Sequence, residues 1–264
     1  MSVVRSSVFA PLQAAGRAEE IVGRLSEAIT LGLLSDGEQL PPETEFAHQL
    51  GVSPMTLRDA IATLRELGLV ETRRGRSGGT FVRRIADPPE EPDRRRLRGL
   101  TVAALRDMAD EQLAVSGAAA RLAAERATGA NVRKILGLVD QMGAASSRGA
   151  RLRADSRFHV EVAMASQSER LTRQEVRLQG EMAGLLWLDM LREADIVAMA
   201  REHHEIATAI AEEDAERARM SAERHVRRNL RRIIAAHLAL ADEAQGEQVG
   251  GGPRRVNREG GSHA

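Results

Sequence analysis

The first stretch with a helical apolar rhythm carries Ile21, Leu25, Ala28 and Ile29, with Gly32 near its end. Apolar residues three and four apart share one face, so the spacing predicts an amphipathic helix. Pro41-Pro42-Glu43 opens a second, shorter helix bearing Phe46, Ala47 and Leu50, and Gly51 stops it. Ser53-Pro54 follows: a hydroxyl suited to cap a helix, then a proline suited to its first position. Leu57, Ile61, Leu64 and Leu67 give the third helix its apolar face, and Gly68 ends it. Residues 69–72 and 80–83 read as short strands. They flank the glycine-rich tip Arg73-Arg-Gly-Arg-Ser-Gly-Gly79. Helix, helix, glycine turn, helix and basic hairpin, in that order, predict a winged helix-turn-helix over residues 10–85.

Residues 86–98 contain Pro88, Pro89 and Pro92 among charged side chains and read as a linker without a regular helix. Beyond it the pattern is helical throughout, over 103–127, 133–142, 153–165, 172–192, 197–211 and 215–240. No Val/Ile/Thr alternation is present, so residues 99–240 predict an all-α bundle of six or seven helices. Met182, Trp187, Met190 and Met199 fit its packing. Residues 241–264, with Gly250-Gly-Gly-Pro253 and Gly260-Gly261, predict a disordered tail. The expected fold is mainly α: an N-terminal winged helix-turn-helix and a C-terminal all-α bundle.

Composition narrows the chemistry. The 264 residues carry 38 basic and 38 acidic side chains, so no global field drives the chain onto nucleic acid or lipid. The charge is nevertheless uneven. Residues 1–53 hold three arginines against seven acids, and residues 54–84 hold seven arginines against three. The third helix and the hairpin therefore form a positive end. Cysteine is absent, which excludes disulfides, thiolate zinc sites and cysteine nucleophiles. Aromatic residues are 2% of the chain, too few for stacking single strands. No apolar run spans a membrane and the first residues lack a signal-peptide pattern, so the expected location is the cytoplasm.

Seven histidines are present, and four groups draw attention. Asp155-x-x-x-His159 places a carboxylate and an imidazole on one helix face. His203 lies on a second helix and His225, 22 residues on, on a third. Converging in a bundle, they would offer one oxygen and three nitrogens to a divalent ion; three neutral imidazoles suit zinc, nickel, cobalt or iron. An Asp-x-x-x-His pair also suits a plain helix-surface contact, so spacing alone leaves both readings open. His204 points about 100° away from His203, and His48, His237 and His263 read as surface groups. The arginine-rich tip suits either a solvated hairpin or phosphate and minor-groove contact. No Gly-x-Ser-x-Gly elbow and no nucleotide-binding glycine loop occurs, and no catalytic residue is assigned.

Three N-terminal pieces resemble the GntR family of bacterial transcription regulators: Leu40-Pro-Pro-Glu-Thr-Glu-Phe-Ala47, Leu50-Gly-Val-Ser-Pro-Met-Thr-Leu-Arg-Asp-Ala60, and Leu64-Arg-Glu-Leu-Gly-Leu-Val-Glu71 with Gly79-Thr-Phe-Val82. The C-terminal half is similar to the FCD subgroup through Arg121-Leu-Ala-Ala124, Asp155-x-x-x-His159, Glu202-His203 with Asp214, and His225. The resemblance implies operator contact by Thr44, Ser53, Pro54, Met55, Thr56 and Arg58, and by Arg73, Arg74, Gly75 and Arg76 of the wing. It implies a metal held by Asp155, His159, His203 and His225, with zinc or nickel expected. It places Gln112 and Ser116 in an effector pocket, where many relatives carry an arginine and an acid, and it implies a small organic acid as effector. Relatives usually carry arginine at Thr44 and Pro54, so the operator sequence is this chain's own.

The function these residues predict is a ligand-responsive repressor, a homodimer on double-stranded operator DNA, with no membrane partner. A metal-sensing regulator and a metal-dependent hydrolase are the rival readings. The hydrolase lacks a general base near the ligands in sequence and leaves the N-terminal domain unexplained.

Overall fold

The computed structural model describes residues 5, 8–9, 18–75, 78–189 and 191–250, with side chains described to Glu243. Arg76, Met190 and His263 lie outside the described residues, as does the expected tail beyond residue 250. In chain order the elements are α1 (Ala18–Thr30), α2 (Glu43–Leu50), α3 (Pro54–Glu66), β1 (Val70–Arg73), β2 (Gly79–Val82), α4 (Glu91–Gly99), α5 (Val102–Arg126), α6 (Gly129–Ala144), α7 (Arg148–Ala165), α8 (Glu169–Leu186), α9 (Glu193–Ala211) and α10 (Ala215–Gly250).

The first five elements form a winged helix-turn-helix. Ile21, Leu25 and Ile29 of α1 pack with Phe46 and Leu50 of α2 and with Leu57, Ile61 and Leu64 of α3. Gly51 takes the left-handed conformation, φ +69°, which a glycine adopts without strain and which ends α2. Ser53 Oγ accepts the Thr56 N–H at 3.1 Å and caps α3, with Pro54 at its first position. β1 and β2 pair antiparallel with Val70 opposite Val82 and Arg73 opposite Gly79. Leu67, counted with the apolar face of α3, is instead its C-cap and 51% exposed.

Helices α5 to α10 make the expected bundle. Buried Ala109, Ala119, Ala120 and Ala123 give α5 a low face, and α5 runs closely along α10. α8 stops at Leu186 rather than reaching Arg192: Trp187 leaves helical backbone, φ −90° and ψ 54°, and its ring is buried.

Two more expectations are corrected. Residues 91–98 of the expected linker are helical, as part of α4, because Pro92 stands in its first turn, where a missing N–H breaks no helical bond. Leu97 anchors that helix in the C-terminal core. The last helix also continues to Gly250, through helix-favouring Ala241 to Gln245, and Glu243 accepts a bond from Arg94 of α4 at 2.9 Å.

The start of α7 grips residues 85–88. Arg148 Nη2 donates to Pro88 O at 2.7 Å, and Arg153 donates to Ile85 O at 3.3 Å and Ala86 O at 3.0 Å. Asp87 Oδ1 accepts the Gly149 N–H at 2.6 Å, a carboxylate at a helix N-terminus, where the dipole favours it. This hydrogen bond is the largest influence holding the Asp87 carboxyl below its ordinary value. Gly149 is required by the close approach, since a Cβ there would meet the Ala86 carbonyl oxygen. Among the described residues, no helix is long and apolar enough to cross a membrane.

Candidate metal centre and nucleic-acid interface

Asp155 and His159 lie one turn apart on α7, and the bundle brings His203 of α9 and His225 of α10 to them. All four are buried, and one ligand atom from each lies within 4.8 Å of the others. His203 Nε2 is 3.3 Å from His159 Nε2 and 3.2 Å from His225 Nε2. Asp155 Oδ1 is 3.2 Å from His203 Nε2 and 3.7 Å from His159 Nε2. The Phe158 ring stacks on His203, centroids 4.3 Å apart.

The donor set fits a cation. His225 Nδ1 lies 2.7 Å from Glu202 Oε2, a carboxylate that can only accept, so the proton belongs on Nδ1 and the lone pair on Nε2. His203 Nδ1 faces Met142 Sδ at 3.0 Å, a weak acceptor, which again leaves the lone pair on Nε2. Two lone pairs at 3.2 Å share no proton and repel unless a positive charge lies between them. Zinc–nitrogen bonds of about 2.0–2.1 Å at near-tetrahedral angles put nitrogens roughly 3.3 Å apart. Asp155 Oδ1 is a buried oxygen without a hydrogen-bond donor. His204 is exposed, as its 100° offset predicts.

The surroundings orient these groups. Trp187 Nε1 donates to Asp155 Oδ2 at 3.1 Å, and Arg148 Nη1 donates to the Trp187 carbonyl at 3.0 Å. Arg232 donates to both Glu202 oxygens, at 2.9 and 3.1 Å, and Arg228 donates to one at 3.2 Å. Asn229 Nδ2 lies 2.9 Å from His225 Nε2. Burial pushes His225 down to about 3 and also lowers His203. Burial would raise Asp155, but the neighbouring imidazoles of His159 and His203 outweigh it and hold the carboxyl well below its ordinary value. Burial would likewise lower His159, yet Asp155 raises it. Glu202 is held at about 2: His225 and Arg232 overcome a burial effect of the opposite sign.

Beside His159 is a small cavity of about 10 Å³, walled by Ser116, Ala119, Phe158, Val162, Glu175 and Ile206 among others. That is about one water's space. Ser116 lines it; Gln112, also buried, is one turn away on α5 and does not. Glu175, Trp187, Glu202 and the linker-gripping Arg148 and Arg153 were not singled out as functional from the sequence. Glu175 and Gln179 did leave a signal, as polar residues at buried positions of amphipathic α8.

At the other end of the molecule, the start of α3 is exposed. Met55 is 64% accessible, and Pro54 and Thr44 are exposed beside it. Ser53 Oγ and Thr56 Oγ1 bond each other at 2.8 Å. Arg58 Nε donates to Glu43 Oε2 at 2.9 Å, both side chains remaining open to solvent. In the wing, Arg73 pairs with Glu71 at 2.6 Å and lies 4.4 Å over the Phe81 ring. Arg74 and Gly75 are exposed at the tip, Gly75 with φ +106°.

Comparison with known proteins agrees with this architecture. Residues 17–82 match the model of the bacterial regulatory proteins of the gntR family, and residues 107–228 match the FCD domain. The chain is 41% identical over 238 residues to the protein designated HTH-type transcriptional regulator RmpR in Mycobacterium gastri, covering 89% of this chain and 87% of that one. It is 26% identical over 228 residues to the Uxu operon transcriptional regulator of Escherichia coli (strain K12), covering 82% and 86%. A solved GntR structure from Rhodococcus sp. RHA1 superimposes with a TM-score of 0.50 at 22% identity, covering 83% of this chain and 98% of that one, and supports the fold. The chain belongs to the GntR family, with an FCD domain, and is a DNA-binding transcription regulator.

Proposed function

We propose that the protein is a cytoplasmic repressor, a homodimer on a pseudo-palindromic operator, released when a small-molecule effector binds beside a divalent metal. In this reading Ser53, Pro54, Met55, Thr56 and Arg58 enter the major groove with Thr44 beside them. Arg73, Arg74, Gly75 and Arg76 contact backbone or minor groove. Asp155, His159, His203 and His225 hold zinc or nickel, whose Lewis acidity would attract an effector oxygen. Ser116 and Gln112 stand on the effector side.

The observation that carries the reading is the double duty of α7. Asp155 and His159 belong to the cluster, and Arg148 and Arg153 of the same helix hold the backbone that leads to the DNA-binding domain. A ligand that shifts α7 therefore acts on both. A second reading, metal itself as the signal, draws on the small size of the cavity beside His159, about 10 Å³.

Elemental analysis of protein purified without chelator tests the proposal. One metal per chain is expected, absent in His203→Ala and His225→Ala. A chelator should lower the melting temperature of wild type alone; metal at 100 times its Kd contributes about 2.7 kcal/mol. Metal-free wild type with no thermal response to zinc or nickel would overturn the metal centre. DNA affinity that follows metal titration without any metabolite would favour the sensor.

A further inference from the structure

A cleft of about 330 Å³ lies where residues 32–36 and Arg84 of the DNA-binding domain meet the end of α6 and the start of α7. Its charged lining is three guanidiniums, Arg84, Arg153 and Arg157, against one carboxylate, Asp36. That carboxylate is already engaged, since Asp36 Oδ1 accepts the Arg84 backbone N–H at 2.8 Å. Arg157 Nη1 donates to the neutral Gln141 side chain at 3.4 Å. Arg153 is 8% exposed, and its bonds go to the neutral carbonyls of Ile85 and Ala86. Arg84 acts on it as a nearby like charge and Asp87 as a nearby opposite one. Among the described residues no carboxylate forms an ion pair with the guanidinium of Arg84, Arg153 or Arg157. Guanidiniums that share a cleft repel one another unless an anion sits among them.

The cleft is separate from the metal centre. Arg153 and Arg157 stand one turn apart on α7, about 200° around the helix from Asp155 and His159. The chemistry of the lining selects the anion. A planar carboxylate is satisfied by one guanidinium fork, whereas a phosphate offers three terminal oxygens that can accept from several arginines at once. Its charge near neutral pH, about −1.5 to −2, also matches the surplus of positive groups. Small apolar side chains, Ala144, Ala145, Ala150 and Ala154, form another part of the wall and leave room for a carbon skeleton.

We propose that this cleft is a binding site for a phosphate dianion, free or carried by a small metabolite, held by Arg84, Arg153 and Arg157. Bound there, the phosphate bridges Arg84, just beyond the wing strand β2, to α7 of the bundle, and fastens the DNA-binding domain to it.

Isothermal titration calorimetry of the full-length protein at fixed ionic strength tests this, with inorganic phosphate, sn-glycerol 3-phosphate and acetate as titrants. Both phosphate compounds should bind, and acetate more weakly. Arg84→Gln and Arg157→Gln, both at exposed positions, should each weaken phosphate about tenfold or more, the value of one bond to a charged group. Arg74→Ala and chelator-treated wild type should bind phosphate as untreated wild type does. Tighter binding of sn-glycerol 3-phosphate assigns the rest of the cleft to an ester's carbon skeleton, and tighter binding of inorganic phosphate assigns the site to the free ion. Phosphate should also slow proteolysis within residues 85–90 of wild type but not of Arg157→Gln. The proposal is overturned if neither phosphate compound binds at millimolar concentration, if both glutamine variants bind as wild type does, or if acetate binds as tightly. Binding lost in Arg74→Ala places the phosphate on the DNA-facing wing, and binding lost on chelation places it on the metal; either result overturns the cleft as its site. Proteolysis unchanged at saturating phosphate overturns the bridging role.

Discussion

Glu202→Gln separates the charge of Glu202 from its shape. Glu202 is 3% exposed, and its carboxylate receives His225 Nδ1 at 2.7 Å, Arg232 at 2.9 and 3.1 Å, and Arg228 at 3.2 Å. Breaking a buried ion pair by removing one partner costs about 3–5 kcal/mol. Here glutamine keeps an acceptor oxygen, and Arg232 keeps Asn229 Oδ1 at 2.8 Å and Asp195 at 3.8 Å. The expected loss is therefore about 2–3 kcal/mol at pH 7, between the value for a bond to a charged group and that for a broken pair. Metal affinity should fall about 10–100-fold, because His225 loses the carboxylate that fixes its tautomer and ring. The effect has a definite pH signature. Glu202 titrates at about 2 against an ordinary 4.5, so its contribution is complete above 4.5 and fades as pH falls from 4.5 toward 2. Urea unfolding of metal-free wild type and variant at pH 7 and at about pH 3.5 should show the gap narrowing on acidification. Equal stabilities at pH 7, or a gap that acid leaves untouched, would refute the assignment of Glu202 as a charged anchor.

Two further predictions follow from the DNA-facing end and the linker. Arg58→Ala should cost about 1–3 kcal/mol on the specific duplex if it reads a guanine, whereas Arg74→Ala should weaken all duplexes alike and reduce the salt slope by about one. Unchanged binding in both, measured by fluorescence anisotropy with the fold intact, would sink the major-groove and wing assignments. Gly149→Ala places a Cβ against the Ala86 carbonyl and should destabilise the docked linker by about 1–3 kcal/mol. Faster proteolysis within residues 85–90 is the readout, and wild-type resistance would count against the grip of α7.

The elements whose apolar faces repeat cleanly were legible in the chain. Ile21, Leu25, Ala28 and Ile29 are the buried residues of α1, and Ser53-Pro54 does start α3. The four cluster residues were picked out together from the chain, but spacing alone placed only Asp155 and His159 on one face; that the three helices converge was an expectation the resemblance strengthened. Local rules failed where position within an element decides. Pro92 suggested a broken chain, yet at the first turn of α4 it is tolerated. Leu67 matched the period of α3 but fell on the cap. Glu202 was read only as part of a motif and Trp187 only as packing, because their bonds to the cluster exist only after folding, when residues 23 and 32 positions away arrive beside them.

Trp187 has one more consequence. It is the sole tryptophan in a chain without tyrosine, and its indole N–H bonds Asp155 while its carbonyl is held by Arg148. Intrinsic emission from this protein therefore comes from one fluorophore, seated between the metal cluster and the residues that hold the linker. A paramagnetic ion such as nickel or cobalt bound to Asp155 would quench it at contact range, while zinc would change its colour only by altering the polarity around the indole. Ligand entry and linker release would both register in the same signal, so the protein carries its own optical reporter without a label.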